Sequence, residues 1–282
     1  MSHIEYLPGL EVGDKIPVEE KLPRPETYLP VLKQALSKQA GRLNGEYGEF
    51  VNVLGQIKIS GPETDTDRQA VYMREAEWAQ AEEKTLGAWL AAREKNPANI
   101  TEIALDLLFD KILGDQFVVV RASNYDDYEN GADQLIIDKE TGAVVCGIDD
   151  VIDNLGAQSD KLKDKKIGRK MAAGGAQIKY GATIQNGKLI RASLSNLPIF
   201  YFSLDNKALN SLLAGLSAGT AGPGPAEQAV FDQLISSLAE QAHNFSQDRR
   251  LDGRLQANLL KFQPSLDKML AKTATPARKQ VA

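Results

Sequence analysis

Apolar and polar positions along this chain change period several times, and each change predicts an element. Between Glu26 and Leu43, Leu29, Leu32, Leu36 and Leu43 recur at helical spacing, with Asn44-Gly45 as the stop. Phe50 to Ile59 alternates as a short strand or a buried extended piece, ended by Gly61-Pro62. Asp65 or Asp67 is suited to cap one long helix, striped by Val71, Trp78, Ala81, Leu86, Trp89 and Leu90, that runs to about Lys95 and stops at Asn96-Pro97. A further helix runs from Thr101 to about Leu113, with Ile103, Leu107, Leu108 and Ile112 on one face. Phe117 to Val120 is a strand of the buried kind, and the polar run Asn124 to Gly131 reads as an exposed connection or as a loop that touches a ligand.

The chain is organised around residues 131–151. Leu135-Ile136-Ile137 and Val144 to Ile148 have strand length and β-branched content, and Lys139-Glu140-Thr141-Gly142 joins them as a hairpin, Gly142 being suited to the left-handed position of the turn. If Asp138 faces Ala143, counting back along the hairpin sets Asp133 opposite Ile148, Asp150 on the same face as Asp133, and Asp149 on the other. Carboxylates meet where the hairpin opens. A hard divalent cation such as Mg²⁺ or Mn²⁺ suits a site of this kind, with a few oxygen ligands and room for water and phosphate.

After a break near Asp153 to Gly156, residues 161–173 form a helix carrying Lys161, Lys163, Lys165, Lys166, Arg169 and Lys170 against only Asp164, the densest basic cluster in the sequence. It is either a solvated face or a phosphate-binding surface for nucleic acid. Two strands, 178–184 and 188–194, flank Asn186-Gly187, a strong hairpin signal, and 198–204 is another strand. Asp205 caps a short helix to about Leu216, SAGTAGPGP at 217–225 is a linker, and 226–271 reads as a helical hairpin whose second helix Pro264 should kink or split. That hairpin packs on the body, on a second copy or on a protein partner. Residues 1–25, with Pro8, Pro17, Pro23 and Pro25, form an extended arm, and 272–282 a disordered tail. The expected fold is therefore α+β (mixed α/β): a central mixed sheet around the 133–151 hairpin, flanked by helices, within a core of residues 26–216.

Composition narrows the chemistry. One cysteine among 282 residues excludes an internal disulfide, and two histidines make a histidine-built zinc site a poor fit. Cys146, inside an apolar strand, reads as a small buried hydrophobe. A net charge of −5 argues against general coating of nucleic acid, so any such binding must be local. No phosphate-loop, dinucleotide, nucleophile-elbow or HExxH pattern is present, and with aromatic residues at 6% there is no aromatic sugar-binding groove. No apolar run reaches membrane-spanning length and no basic-then-apolar leader opens the sequence, which reads as cytoplasmic.

An Asp at the start of one strand, a hairpin, and an acid at the end of the next resembles the PD-(D/E)xK nuclease superfamily over about residues 100–204. The order helix, strand, hairpin, helix, strands fits that core. The resemblance implies a Mg²⁺- or Mn²⁺-dependent nuclease in which Asp133 is the first acid and Asp150, or Asp149, the second. It also implies that an acid of the preceding helix, Glu102 or Asp106, assists. Glu102, Asp106 and Asp110 stack at i, i+4 and i+8, where like charges need solvent or a compensating cation. The lysine expected two residues after the second acid is Ile152 or Val151 here. By the resemblance, Lys165 or Lys166 on the basic helix, or Lys179, would replace it. Longer stretches also resemble uncharacterised bacterial proteins, which bring no activity with them. The alternative is a non-catalytic interaction or scaffold protein on the same fold, in which Asp133 is a turn residue and Asp149-Asp150 a charged strand end.

Overall fold

The computed structural model describes residues 23–61, 64–152 and 157–274, with the side chains of 150–164 outside that description. The N-terminal arm up to residue 22, the 153–156 break and the tail beyond 274 fall outside the described residues. The elements are α1 (Leu29–Tyr47), α2 (Thr64–Ala81), α3 (Leu86–Glu94), α4 (Pro97–Leu113), β1 (Phe117–Arg121), β2 (Gln134–Asp138), β3 (Val144–Ile152), α5 (Ala157–Ala172), β4 (Ala176–Gln185), β5 (Lys188–Leu197), β6 (Ile199–Leu204), α6 (Asn206–Ser217), α7 (Pro225–Gln247) and α8 (Gly253–Leu270). The fold is mixed α+β, as the pattern predicts. A four-stranded sheet has the order β1-β2-β3-β6, antiparallel except for the parallel β3–β6 pair, and β4 and β5 form a separate hairpin.

The expected single helix over 65–95 is two helices. Glu83 adopts φ 54, and Thr85 then accepts a hydrogen bond from Ala88 N as the N-cap of α3. Asn96-Pro97 marks the end of α3, as expected, and also starts the next helix, four residues before Thr101: Asn96 Oδ1 accepts from Ala98 N at 2.9 Å and Pro97 fills the first turn of α4. The Asn44 expected to end α1 stays helical, and its side chain holds the next segment through Phe50 N, Val51 N and Val51 O. The helix α8 runs unbroken past Pro264.

Helix α4 is apolar on nearly every side because it is packed on nearly every side, against β1, β3, α1, α6 and α7. Phe109 of α4 stacks on Phe202 of β6 with ring centroids 5.1 Å apart, and meets Phe231 of α7 edge-on at 5.8 Å. Tyr201, one residue along β6, turns the other way. Its registered neighbour Asp149 meets Lys166 of α5, so α4 and α5 cover opposite faces of the sheet.

The C-terminal hairpin packs on this body instead of hanging from a tether. Gln241 of α7 donates to Tyr201 O at 2.8 Å and accepts from Tyr201 N at 3.1 Å, covering the open edge of β6. On α8, Ser265 and Lys268 both bond to the buried Asp138 at the end of β2. Tight turns carry the residues they need: Asn186 and Gly187 take φ 51 and 70, and Gly142 takes φ 68 where a Cβ would run into Ile184 O.

Candidate functional site

The register of the central hairpin departs from simple counting. Asp138 N bonds to Ala143 O as expected, but Val145 is an extra residue in β3, so Ile137 pairs with Val144 while Ile136 pairs with Cys146. Gln134 thereby comes opposite Ile148, where counting from the turn puts Asp133. The amide of Asp133 nevertheless donates to Ile148 O at 2.8 Å, so Asp133 and Gln134 both meet Ile148 at the open end. Asp150 pairs in register with Phe202 of β6, and its side chain lies outside the described residues.

Acids from three elements gather here. Asp127, in the π-helical turn at residues 126–130, is hydrogen-bonded to the Asp133 side chain. Burial, the Glu102 carboxylate and the loss of water push the Asp127 carboxyl up to about 6, against the opposing pull of Arg93. Glu102 of α4 accepts from Arg121 Nη2 at 2.7 Å, and Arg93 donates to Asp127 Oδ2 at 3.2 Å. Burial alone would lower the Arg121 guanidinium, but Glu102 outweighs it and holds it charged. The acidic stack on α4 is thus answered by cations and not by solvent: Arg121 serves Glu102, and Arg42 serves Asp110.

Asp106 is not part of this group. It is fully buried beside Gly55, with the Gln39 amide as its near polar neighbour, and burial pushes its carboxyl up to about 8. Its charge is felt by the same Arg121 that pairs with Glu102.

Asp149, on the other face of β3, is buried and accepts from Lys166 Nζ at 3.0 Å. Lys170 reaches the carbonyl of Gly131 at 3.2 Å and that of Asn130. A Cβ on Gly131, which takes φ 55, would lie 3.0 Å from Lys170 Nζ and 3.4 Å from Lys166 Nζ, so two ammonium groups of α5 converge on the loop that delivers Asp133. Lys165 and Arg169 are exposed, while the side chains of Lys161 and Lys163 lie outside the described residues. Lys179 is elsewhere: its ammonium sits 2.6 Å from Asp67 of α2 and over the Tyr125 ring.

Asp126 is the residue that sequence reasoning missed. It is buried, and accepts from Ser123 Oγ, Asn130 Nδ2, Lys179 N and Tyr180 N, pinning the loop to β4. The Ser123-x-x-Asp126 spacing, a side-chain turn signature, is the signal that marks it. Cys146 is buried, and burial pushes its thiol well above the ordinary range, as suits a core residue.

No family model, no curated protein and no solved structure matches this chain. Among the described residues no three His, Cys, Asp or Glu side chains are gathered closely enough to hold a metal by themselves, and no helix is long and apolar enough to cross a membrane. Mg²⁺ needs no such cage. It keeps several waters and is commonly held by one or two carboxylates together with substrate phosphate; the Asp127–Asp133 pair, joined by a hydrogen bond that needs a proton on one of them, would give up that proton to hold it.

Proposed function

We propose that the protein is a divalent-metal-dependent nuclease that hydrolyses phosphodiester bonds at the open end of the β2–β3 hairpin. The observation that carries this reading is the ammonium of Lys166, delivered by α5 to within 3.0 Å of Asp149. A strand that lacks the lysine of the PD-(D/E)xK pattern here receives one from the following helix. The order α4, β1, the β2–β3 hairpin, α5, then the strands β4 to β6 is also the order that this resemblance implies.

Asp133 and Asp127, with either Asp149 or Asp150 as the acid supplied by the end of β3, are the residues that would hold Mg²⁺ or Mn²⁺. Bound there, the ion would neutralise phosphate charge and lower the pKa of a water. Glu102 acts one step back, fixing Arg121, as Asp127 is fixed by Arg93. Lys166, half exposed on its solvent side, is placed to balance the charge of an incoming phosphate and to hold a water by hydrogen bonding. Lys170 orders the Asn130-Gly131 backbone just before Asp133. The basic face of α5 supplies phosphate contacts without asking the acidic protein as a whole to attract nucleic acid.

A second reading, a non-catalytic interaction protein, is favoured by one observation: the acids Glu102, Asp127 and Asp149 each already have a basic partner. Incubation of labelled DNA and RNA with Mg²⁺ or Mn²⁺ separates the two. Cleavage by the wild type that Asp133→Asn abolishes supports the nuclease. Absence of cleavage on every substrate and metal leaves the interaction protein.

A further inference from the structure

Two cavities, of about 420 and 320 Å³, lie side by side between the 52–60 loop and the α2–α3 pair. Both are lined by Gln56 and Asn124, whose side chains are joined by a 2.5 Å hydrogen bond, so they form one groove crossed by an amide bridge. The groove opens at the same end of the sheet as the acidic cluster. Ala122 N bonds to Asp133 O at 2.8 Å, and Asn124 stands two residues further on. At its inner end Arg93 and Arg121 line the wall, and these are the two guanidinium groups that bind Asp127 and Glu102. Arg121 is nearly fully buried, and its Nε has no hydrogen-bond partner. At the outer end stand Lys58 and Arg68.

The roof is lightly attached. Helix α2 buries only Asp67 and Ala79, and meets the body through Trp78, edge-on to Tyr128 at 4.9 Å, and through polar contacts such as Tyr128–Glu75 and Lys179–Asp67.

We propose that this groove binds single-stranded nucleic acid and leads one strand to the acidic cluster. The inference rests on the nuclease reading for what happens at the cluster, but binding in the groove does not require it. Each cavity is of the size that takes one small organic unit, such as a nucleotide. Amide side chains are suited to the hydrogen-bonding edges of unpaired bases, and Lys58 and Arg68 at the outer end to a phosphate, whereas Glu75 and Glu94 stand beside the paired arginines at the inner end. The orphan Nε of Arg121 is a donor left for an acceptor that enters the groove.

The test is fluorescence anisotropy in EDTA, where no cleavage occurs, with one labelled oligonucleotide offered single-stranded and as a duplex, in DNA and RNA forms. Single strands should bind at least tenfold more tightly than duplex. Arg68→Glu, at an exposed position, and Gln56→Ala should each weaken single-strand binding fivefold or more with an unchanged thermal midpoint. Equal or tighter binding of duplex, no binding of any form, or wild-type affinity in both variants overturns the proposal. Groove-dependent single-strand binding without cleavage in Mg²⁺ keeps the groove and sinks the nuclease reading. Cleavage of duplex that ignores both variants does the reverse.

Discussion

Lys166 of α5 holds its ammonium 3.0 Å from Asp149 Oδ2, across a gap of 17 residues in sequence. The exposed Lys166 end of this pair adds little stability, but Lys166→Ala takes a partner from the buried Asp149, so rates are compared at temperatures well below each variant's midpoint. The pair's worth should therefore be read in activity. Lys166→Ala should lower cleavage roughly 100-fold or more, and Lys166→Arg should recover part of the loss. Lys165→Ala, one residue away and exposed, should behave like the wild type. Equal rates for all three variants would remove Lys166 from the site.

Asp106 should make the protein less stable as pH rises. Its carboxyl keeps a proton to about pH 8 when folded, whereas in the unfolded chain it ionises near pH 4. Between these values the native state binds more protons than the unfolded state, so this group's contribution falls as pH increases through that window. Asp106→Asn keeps the shape and removes the penalty. The variant should match the wild type near pH 4 and exceed it by the order of 2–4 kcal/mol at pH 8, since water penetration moderates the full shift. Urea unfolding at several pH values checks this. A constant difference across the range would contradict it.

Asp126→Ala should cost about 3 kcal/mol or more, because it strands Ser123, Asn130 and two backbone N–H groups in the interior. The loss should also loosen the turn that presents Asp127, so Asp126→Ala should be more harmful to cleavage than its stability alone explains. Chemical unfolding and rates measured well below the midpoint separate the two effects.

Asp138 ties the hairpin to α8, through Lys268 at 2.8 Å and Ser265 at 3.0 Å, and accepts from Glu140 N. Burial opposes ionisation there, but the Lys268 hydrogen bond and the backbone donors hold the carboxyl below its ordinary value. Its stabilisation is present above the ordinary carboxylate range and is lost as pH falls through the lowered value. Asp138→Ala should destabilise by about 2–4 kcal/mol at neutral pH and show a weaker acid dependence than the wild type. Thermal midpoints from pH 3 to 7 test it.

Much of the fold is legible in local sequence because the signals are local. Asn186-Gly187 specifies its turn by the positive φ both residues must adopt, and the strands on either side need nothing else. The acidic stack on α4 was legible as a need for solvent or cations, but not which. Arg42 and Arg121 arrive from elsewhere in the chain, and a helix buried all round gives its charges no solvent face. The break at Glu83 hides inside a continuing apolar stripe, with Thr85 as its only local mark. At the site, the hairpin and its acids are readable, whereas the extra residue Val145 is not, since β-branched runs look alike with or without a bulge. That Lys166 meets Asp149 while Lys179 meets Asp67 follows from how α5 and β4 pack on the rest of the protein, which no spacing in the sequence encodes.

The most direct test of the metal-dependent site is calorimetric titration of Mg²⁺ and Mn²⁺ into the wild type and into Asp133→Asn/Asp150→Asn, with a non-cleavable oligonucleotide present and absent. The expected result is saturable binding by the wild type that the double variant loses at an unchanged thermal midpoint. No saturable binding by the wild type under either condition would contradict the account and leave the interaction protein as the better description.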